Sequence, residues 1–224
     1  MSFGDSKAIV TNQDGLNEHL DDVVKKHLSH EFLKPISTHT MDAFAQVHEK
    51  VINFSGNIIL DSCCGVGQST RILARRYPDA LVIGVDKSLH RIQRNVQDAN
   101  EPDNFVLVRA DLNDFYRLVV DNHWQVAQHF LLYPNPWPKA KHLQRRWHGS
   151  SVFPYILKIS NSLILRSNWL LYLQEFQRAA ELAGKTGTIG QVDDVEPLTP
   201  FEAKYRASGQ SCWQLKFEPY TNHI

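Results

Sequence analysis

From residue 57 onward the chain alternates short, unbroken apolar runs with longer segments whose apolar positions recur at helical spacing. Ile58-Ile59-Leu60, Leu81 to Val85, Phe105 to Val108, Phe130 to Tyr133 and Ser162 to Leu165 are five such runs. A short apolar run without alternation fits a strand buried on both faces. The intervening segments 68–77, 88–98, 151–160 and 169–183 are amphipathic at the helical period. Strands of this kind separated by helices predict an α/β fold, a mostly parallel sheet with helices on both faces. Toward the C-terminus, 188–192 and 211–217 read as two further strands flanking a helix near 199–208. Upstream, Leu16, Leu20, Val23, Val24 and Leu28 share one helical face, and Pro35 sets the limit of that helix. A second helix carries Met41, Phe44, Ala45, His48, Val51 and Ile52 at the same period. The expected organisation is a helical extension over 1–56 and one compact domain over 57–224.

Composition narrows the chemistry. The 224 residues hold 24 Lys+Arg against 24 Asp+Glu, so a strongly basic nucleic-acid binder is excluded and any cationic surface must be local. Three cysteines, two of them adjacent, make neither a disulfide framework nor a metal site, and no histidine pair has zinc spacing, so no metal is expected. There is no apolar signal region and no run of eighteen apolar residues. A cytoplasmic protein with no membrane partner is expected, monomer and homodimer both being open.

Candidate chemistry gathers at the strand ends. Asp61-Ser62-Cys63-Cys64-Gly65-Val66-Gly67 lies between the first strand and a helix starting near Gln68. Gly65 and Gly67 allow a ligand close to the backbone. The third glycine of a dinucleotide fingerprint is missing, position 70 being Thr. Asp61, Asp86 and Asp111 follow three successive strands. Their acceptors suit the amino group, ribose diol and adenine edge of S-adenosylmethionine, a cofactor without phosphates. Asp also caps helices at such positions.

After the fourth strand, Tyr133-Pro134-Asn135-Pro136-Trp137-Pro138-Lys139 fixes a stiff loop bearing Asn135 and Trp137. Residues 139–148 then hold Lys139, Lys141, Arg145, Arg146 and two histidines with no acid. A rigid polar and aromatic tip beside cations suits a nucleotide base on its phosphate chain. Whether Trp137 stacks on a base or packs beneath the loop stays open.

With its His142, Arg145 and Arg146, this segment resembles the F-P-D-P-W-P-K-x-x-H-x-x-R-R signature of the bacterial tRNA (guanine-N7) methyltransferases. Thr199-Pro200-Phe201-Glu202, with Lys204 and Gly209, is similar to that family's T-x-F-E segment. The resemblance covers about 57 to 218. It implies a Rossmann-like fold with a seven-stranded sheet, S-adenosylmethionine as cofactor and tRNA as partner. It places cofactor contacts on Asp61, Gly65, Gly67, Asp86, Asp111 and Asn135, and the catalytic role on Asn135. Substrate contacts fall on Lys139, Arg145, Arg146, Asn168, Thr199, Pro200, Phe201 and Glu202. The chain departs from the pattern at Asn135 and Asn168, where the family carries Asp, and Asp61 stands for its more usual Glu. Two other functions remain open on those departures: transfer to an exocyclic amine, and a tRNA- or cofactor-binding paralogue with weak or lost turnover.

Overall fold

The computed structural model describes residues 6–93 and 101–218. Its strands are β1 Asn57–Ser62, β2 Ala80–Asp86, β3 Phe105–Arg109, β4 Val126–Leu132, β5 Leu163–Ser167, β6 Thr188–Gln191 and β7 Trp213–Phe217. They form one sheet in the order β3-β2-β1-β4-β5-β7-β6. The first five are mutually parallel, and β7 runs antiparallel between β5 and β6. All seven residues of β2 are buried, as are five of the six in β1, which is why these strands read as continuous apolar runs.

The helices are α1 Leu20–Ser29, α2 Thr38–Ile52, α3 Gln68–Arg76, α4 Leu89–Gln93, α5 Leu112–Asp121, α6 Phe153–Ile159, α7 Leu170–Leu182 and α8 Pro200–Ala207. The part of the expected 88–98 helix beyond Gln93 lies outside the described residues. None of the described helices is long and apolar enough to cross a membrane.

Three local outcomes differ from the sequence pattern. β4 begins at Val126, four residues before the apolar run, because buried His129 is tolerated there by a 2.9 Å hydrogen bond between its Nε2 and Ser62 Oγ. Tyr133 has already left the strand, with φ +50°. On α2 the inward face is Thr40, Phe44, Val47 and Val51, while Met41 and Ile52 are 45% and 63% exposed. Thr40 can be buried because its Oγ1 accepts the Asp111 N–H at 3.2 Å. That bond, and the Ser37 N–H donated to Asp114 Oδ2 at 3.0 Å, pin the start of α2 to the start of α5. On α1 only Leu20 and Val24 are buried, and Leu16 lies outside the helix, exposed.

The sheet order reverses between β1 and β4. In open α/β sheets, ligands bind at the carboxyl ends of the strands beside such a reversal.

Candidate active site

A cleft of about 490 Å³ opens at that reversal, within the size range of small-molecule sites. One wall is formed by Cys63 after β1, Asp86 at the end of β2, and Asp111, Leu112 and Asn113 after β3. The facing lip is Tyr133-Pro134-Asn135-Pro136 after β4, and Lys87, Arg91, Trp147, Phe201 and Tyr205 complete the lining.

The turn after β1 is shaped by left-handed backbone at Cys63 (φ +62°), Gly65 (φ +60°) and Gly67 (φ +79°). The two glycines serve different ends. A Cβ on Gly65 would meet nothing within 4 Å, leaving its backbone open to a ligand. A Cβ on Gly67 would sit 2.7 Å from both Arg71 Nη1 and a Leu107 methyl, so Gly67 seats α3 rather than facing the cleft. Asp86 holds the turn from the side: its Oδ2 accepts the Gly65 N–H at 3.0 Å and its Oδ1 the Ser88 N–H at 2.8 Å. Arg91 lies 3.5 Å from the same carboxylate, and Lys87 3.2 Å from Asp111. Both cations are more than half exposed, so these are weak pairs that a ligand can displace.

Asp61 is placed otherwise than expected. It is fully buried behind the turn, is absent from the cleft wall, and takes the hydroxyls of Ser69 (2.6 Å) and Thr70 (2.7 Å) on Oδ2. Burial pushes its pKa from 3.8 up to about 6, against the two hydroxyls and with a smaller push from Asp86. A carboxyl with a raised folded pKa holds its proton more tightly folded than unfolded. Its contribution to stability is therefore complete below 3.8 and declines as pH rises to about 6, by about 3 kcal/mol for a shift of that size. Asp61→Asn keeps an acceptor for the hydroxyls and removes the titration. Its melting temperature relative to wild type is expected to climb between pH 4 and pH 6 and then level off; a pH-independent difference would refute this.

Asp111 lines the cleft but is also the N-cap of α5, accepting the Asn113 N–H at 3.0 Å and its side-chain amide at 2.9 Å. Burial works to raise its pKa, but these donors and Lys87 outweigh it and hold the carboxyl below its ordinary value. Cys63 stays a thiol: burial, with Asp86 and Asp61 nearby, pushes its pKa up to about 12.

On the lip, Asn135 is exposed and its Oδ1 accepts the Trp137 N–H at 3.3 Å. Trp137 packs under the loop, with the Arg145 guanidinium 4.8 Å above its ring centroid and His142 edge-on at 5.6 Å. Lys139 is exposed just ahead of the adjoining 3₁₀ turn Ala140–Arg145, and Lys141 and Arg145 are exposed on it.

Arg146 requires a correction. It is fully buried, paired with Glu175 of α7, and donates to the carbonyls of Trp137 (3.0 Å) and Lys139 (3.3 Å). It braces the loop from within and has no access to a phosphate. The T-P-F-E segment divides similarly. Thr199 is buried and N-caps α8, accepting the Glu202 N–H at 3.0 Å, with Pro200 in the first turn. Glu202 is fully buried against Arg166 and Arg206. Phe201, 48% exposed, is the one residue of the four that reaches the cleft. Asn168, just past β5, is not in the cleft wall and donates to Gln210. Sequence reasoning missed Trp147, on a short 3₁₀ turn with no local signature, and Tyr205, which lies one helical turn after Phe201 on α8 and stacks against it.

Residues 55–215 match the model of the family described as "Putative methyltransferase". The chain belongs to this methyltransferase family. The methyltransferase is 26% identical over 181 residues to the tRNA (guanine-N(7)-)-methyltransferase of Shewanella frigidimarina, covering 75% of each chain. It is 25% identical over 187 residues to the enzyme of the same name from Psychromonas ingrahamii, covering 76% of each. Among solved structures, the 16S rRNA methyltransferase KamB superposes with a TM-score of 0.56 at 16% identity, over 83% of this chain and 96% of that one. An antibiotic-related methyltransferase gives 0.54 at 13% identity, over 79% and 94%. At these identities the likeness is one of fold.

Proposed function

We infer that the protein transfers the methyl group of S-adenosylmethionine to N7 of a guanine in tRNA. The observation that carries this is the cleft itself, which sets acidic strand ends against a stiff prolyl lip flanked by exposed cations. The names of the relatives that cover three quarters of the chain support the substrate.

The residues fit the cofactor. Asp86 has lone pairs left after its two backbone bonds, as a ribose diol needs. Gly65 leaves room above its backbone, and the start of α3 is filled by Gly67 packing, which suits a ligand without phosphates. When bound, S-adenosylmethionine supplies an electrophilic methyl group on a cationic sulfur. Guanine N7 has an in-plane lone pair, so the protein needs no general base, and Cys63, kept protonated, does not compete for the methyl group. The work left to the chain is alignment: Asn135 and its flanking prolines fix one side of the base, Phe201 lines the other, and Lys139, Lys141 and Arg145 hold phosphates. Transfer to an exocyclic amine would also draw on the Asn135 carbonyl, one lone pair of which already takes the Trp137 N–H at 3.3 Å.

Incubation with methyl-labelled cofactor and unmodified tRNA, followed by nuclease digestion, is expected to yield label in 7-methylguanosine. Label on an exocyclic amine, or none, overturns the inference. Asn135→Asp keeps the bond to Trp137 with one oxygen and offers the cleft a charged second one, where positive charge develops on the base. A charge-assisted bond exceeds a neutral one by about 1–2 kcal/mol, so turnover is expected to rise about tenfold. A single-turnover rate at or below wild type would refute that role.

A further inference from the structure

Residues 6–17 form a strap that joins two segments far apart in sequence, the turn after α8 and the end of the prolyl loop. At one end the Ser6 N–H donates to Ser208 Oγ at 3.1 Å, and Ser6 O accepts Gln210 Nε2 at 2.7 Å. At the other, Thr11 Oγ1 donates to Pro138 O at 2.7 Å, Asn12 Oδ1 accepts the Ala140 N–H at 2.9 Å, and Asn17 Nδ2 donates to Ala140 O at 3.0 Å. The residue held between those last contacts is Lys139.

The Gln210 amide is the joint. A backbone carbonyl can only accept, so Ser6 O fixes the Gln210 NH2 toward itself and turns Oε1 the other way. Oε1 faces Asn168 Nδ2 at 2.9 Å. With the strap docked, the side chain at 168 must therefore be a donor. An ionised carboxylate there would oppose Oε1 with a second acceptor, and relieving that by rotating the amide would set Oε1 against Ser6 O. Position 168 has this reason to carry an amide.

We propose that Asn168, acting through Gln210, is the latch of an N-terminal strap that positions Lys139 and the prolyl loop for substrate. The effect on substrate rests on the function inferred above; the latch itself does not. Lys7 is exposed and lies one residue beyond the Ser6 contact, so tryptic cleavage after it reports opening of the strap. Cleavage tracks the open population when reclosing is fast. In the full-length chain, followed by intact-mass spectrometry, Asn168→Asp and Gln210→Glu are each expected to speed this cut about tenfold. The double variant should exceed neither by much, since both break one chain of bonds. Gln210→Glu should also raise the KM for tRNA several-fold and leave kcat within about twofold.

Wild-type cleavage rates in Gln210→Glu, a half-buried position outside the sheet and helices, overturn the latch even if Asn168→Asp fails to fold. A fall in kcat with unchanged KM overturns the positioning role. Faster cleavage in a protein that methylates no tRNA leaves the latch standing and removes the inferred function instead.

Discussion

Arg146→Ala is expected to cost about 3–5 kcal/mol of stability, the usual result of stranding one partner of a buried ion pair. Glu175 is fully buried, and each of its oxygens takes two donors. Oε1 accepts Gln13 Nε2 (2.8 Å) and the Asn17 N–H (2.9 Å); Oε2 accepts Arg146 and His148 Nε2 (2.9 Å). Burial works to raise the carboxyl's pKa, but His148, Gln13 and Arg146 outweigh it and hold it at about 2. A folded pKa below the ordinary 4.5 gives a contribution that is complete at neutral pH and fades only as pH falls through that window. Removing Arg146 leaves the charge and takes its cation. For a chain of this size the loss is expected to lower the melting temperature by roughly 10 °C or more at pH 7. Arg146→Lys should recover only part of it, because an ammonium cannot serve Glu175, Gln13 and two carbonyls at once. The folded Lys variant should keep the wild-type salt dependence of tRNA binding. Replacing Lys139, Lys141 or Arg145 should instead flatten the slope of log K against log salt by about 0.7–0.9 for each phosphate that goes unneutralised. An Arg146→Ala protein melting within a degree of wild type would show that the pair carries no such weight.

Arg145 and Arg146 illustrate where sequence stops being informative. Side by side they make one basic patch, and nothing local tells them apart. The 3₁₀ turn rotates the first onto Trp137 and the second onto Glu175, whose position 29 residues downstream carries no signature. Glu202 is the same case, since a Thr-x-x-Glu start suggests a capping box, yet the carboxylate goes to Arg166 on β5. Asp111 reads as a ligand acid while it also caps α5, a helix that the apolar pattern did not single out. By contrast, β1 and β2 were legible because burial on both faces keeps their apolar runs unbroken, whereas Gln128 and His129 hid the start of β4. The turn at Gly65 and the prolyl lip were legible because glycine and proline constrain backbone wherever they occur. The antiparallel placement of β7 between β5 and β6 has no such local cause. What the residues state themselves is conformation; which partner a charge finds depends on the packed whole.

Asp86→Ala is expected to lower affinity for S-adenosylmethionine by about a hundredfold to a thousandfold in a calorimetric titration. Two bonds from a diol to a charged acceptor are worth about 1.5–3 kcal/mol each, and a loss of 3–4 kcal/mol overall corresponds to that range. The same carboxylate pins the Gly65 N–H, so its removal also frees the turn whose backbone must lie open to the ligand. Asp111→Ala provides the contrast. Its carboxylate is committed to the two Asn113 donors, with Lys87 only a weak exposed pair, so the expected loss is about 1 kcal/mol of stability, the ordinary worth of an N-cap, with affinity falling no more than about tenfold. Asp86→Asn keeps an acceptor and loses the charge, and should fall between the two. This ordering separates a carboxylate that faces ligand from one that holds a helix, although both end a strand and line the same cleft. Equal losses at Asp86 and Asp111 would mean that the cofactor lies across both acids. Binding within threefold of wild type in Asp86→Ala would move it out of the turn altogether.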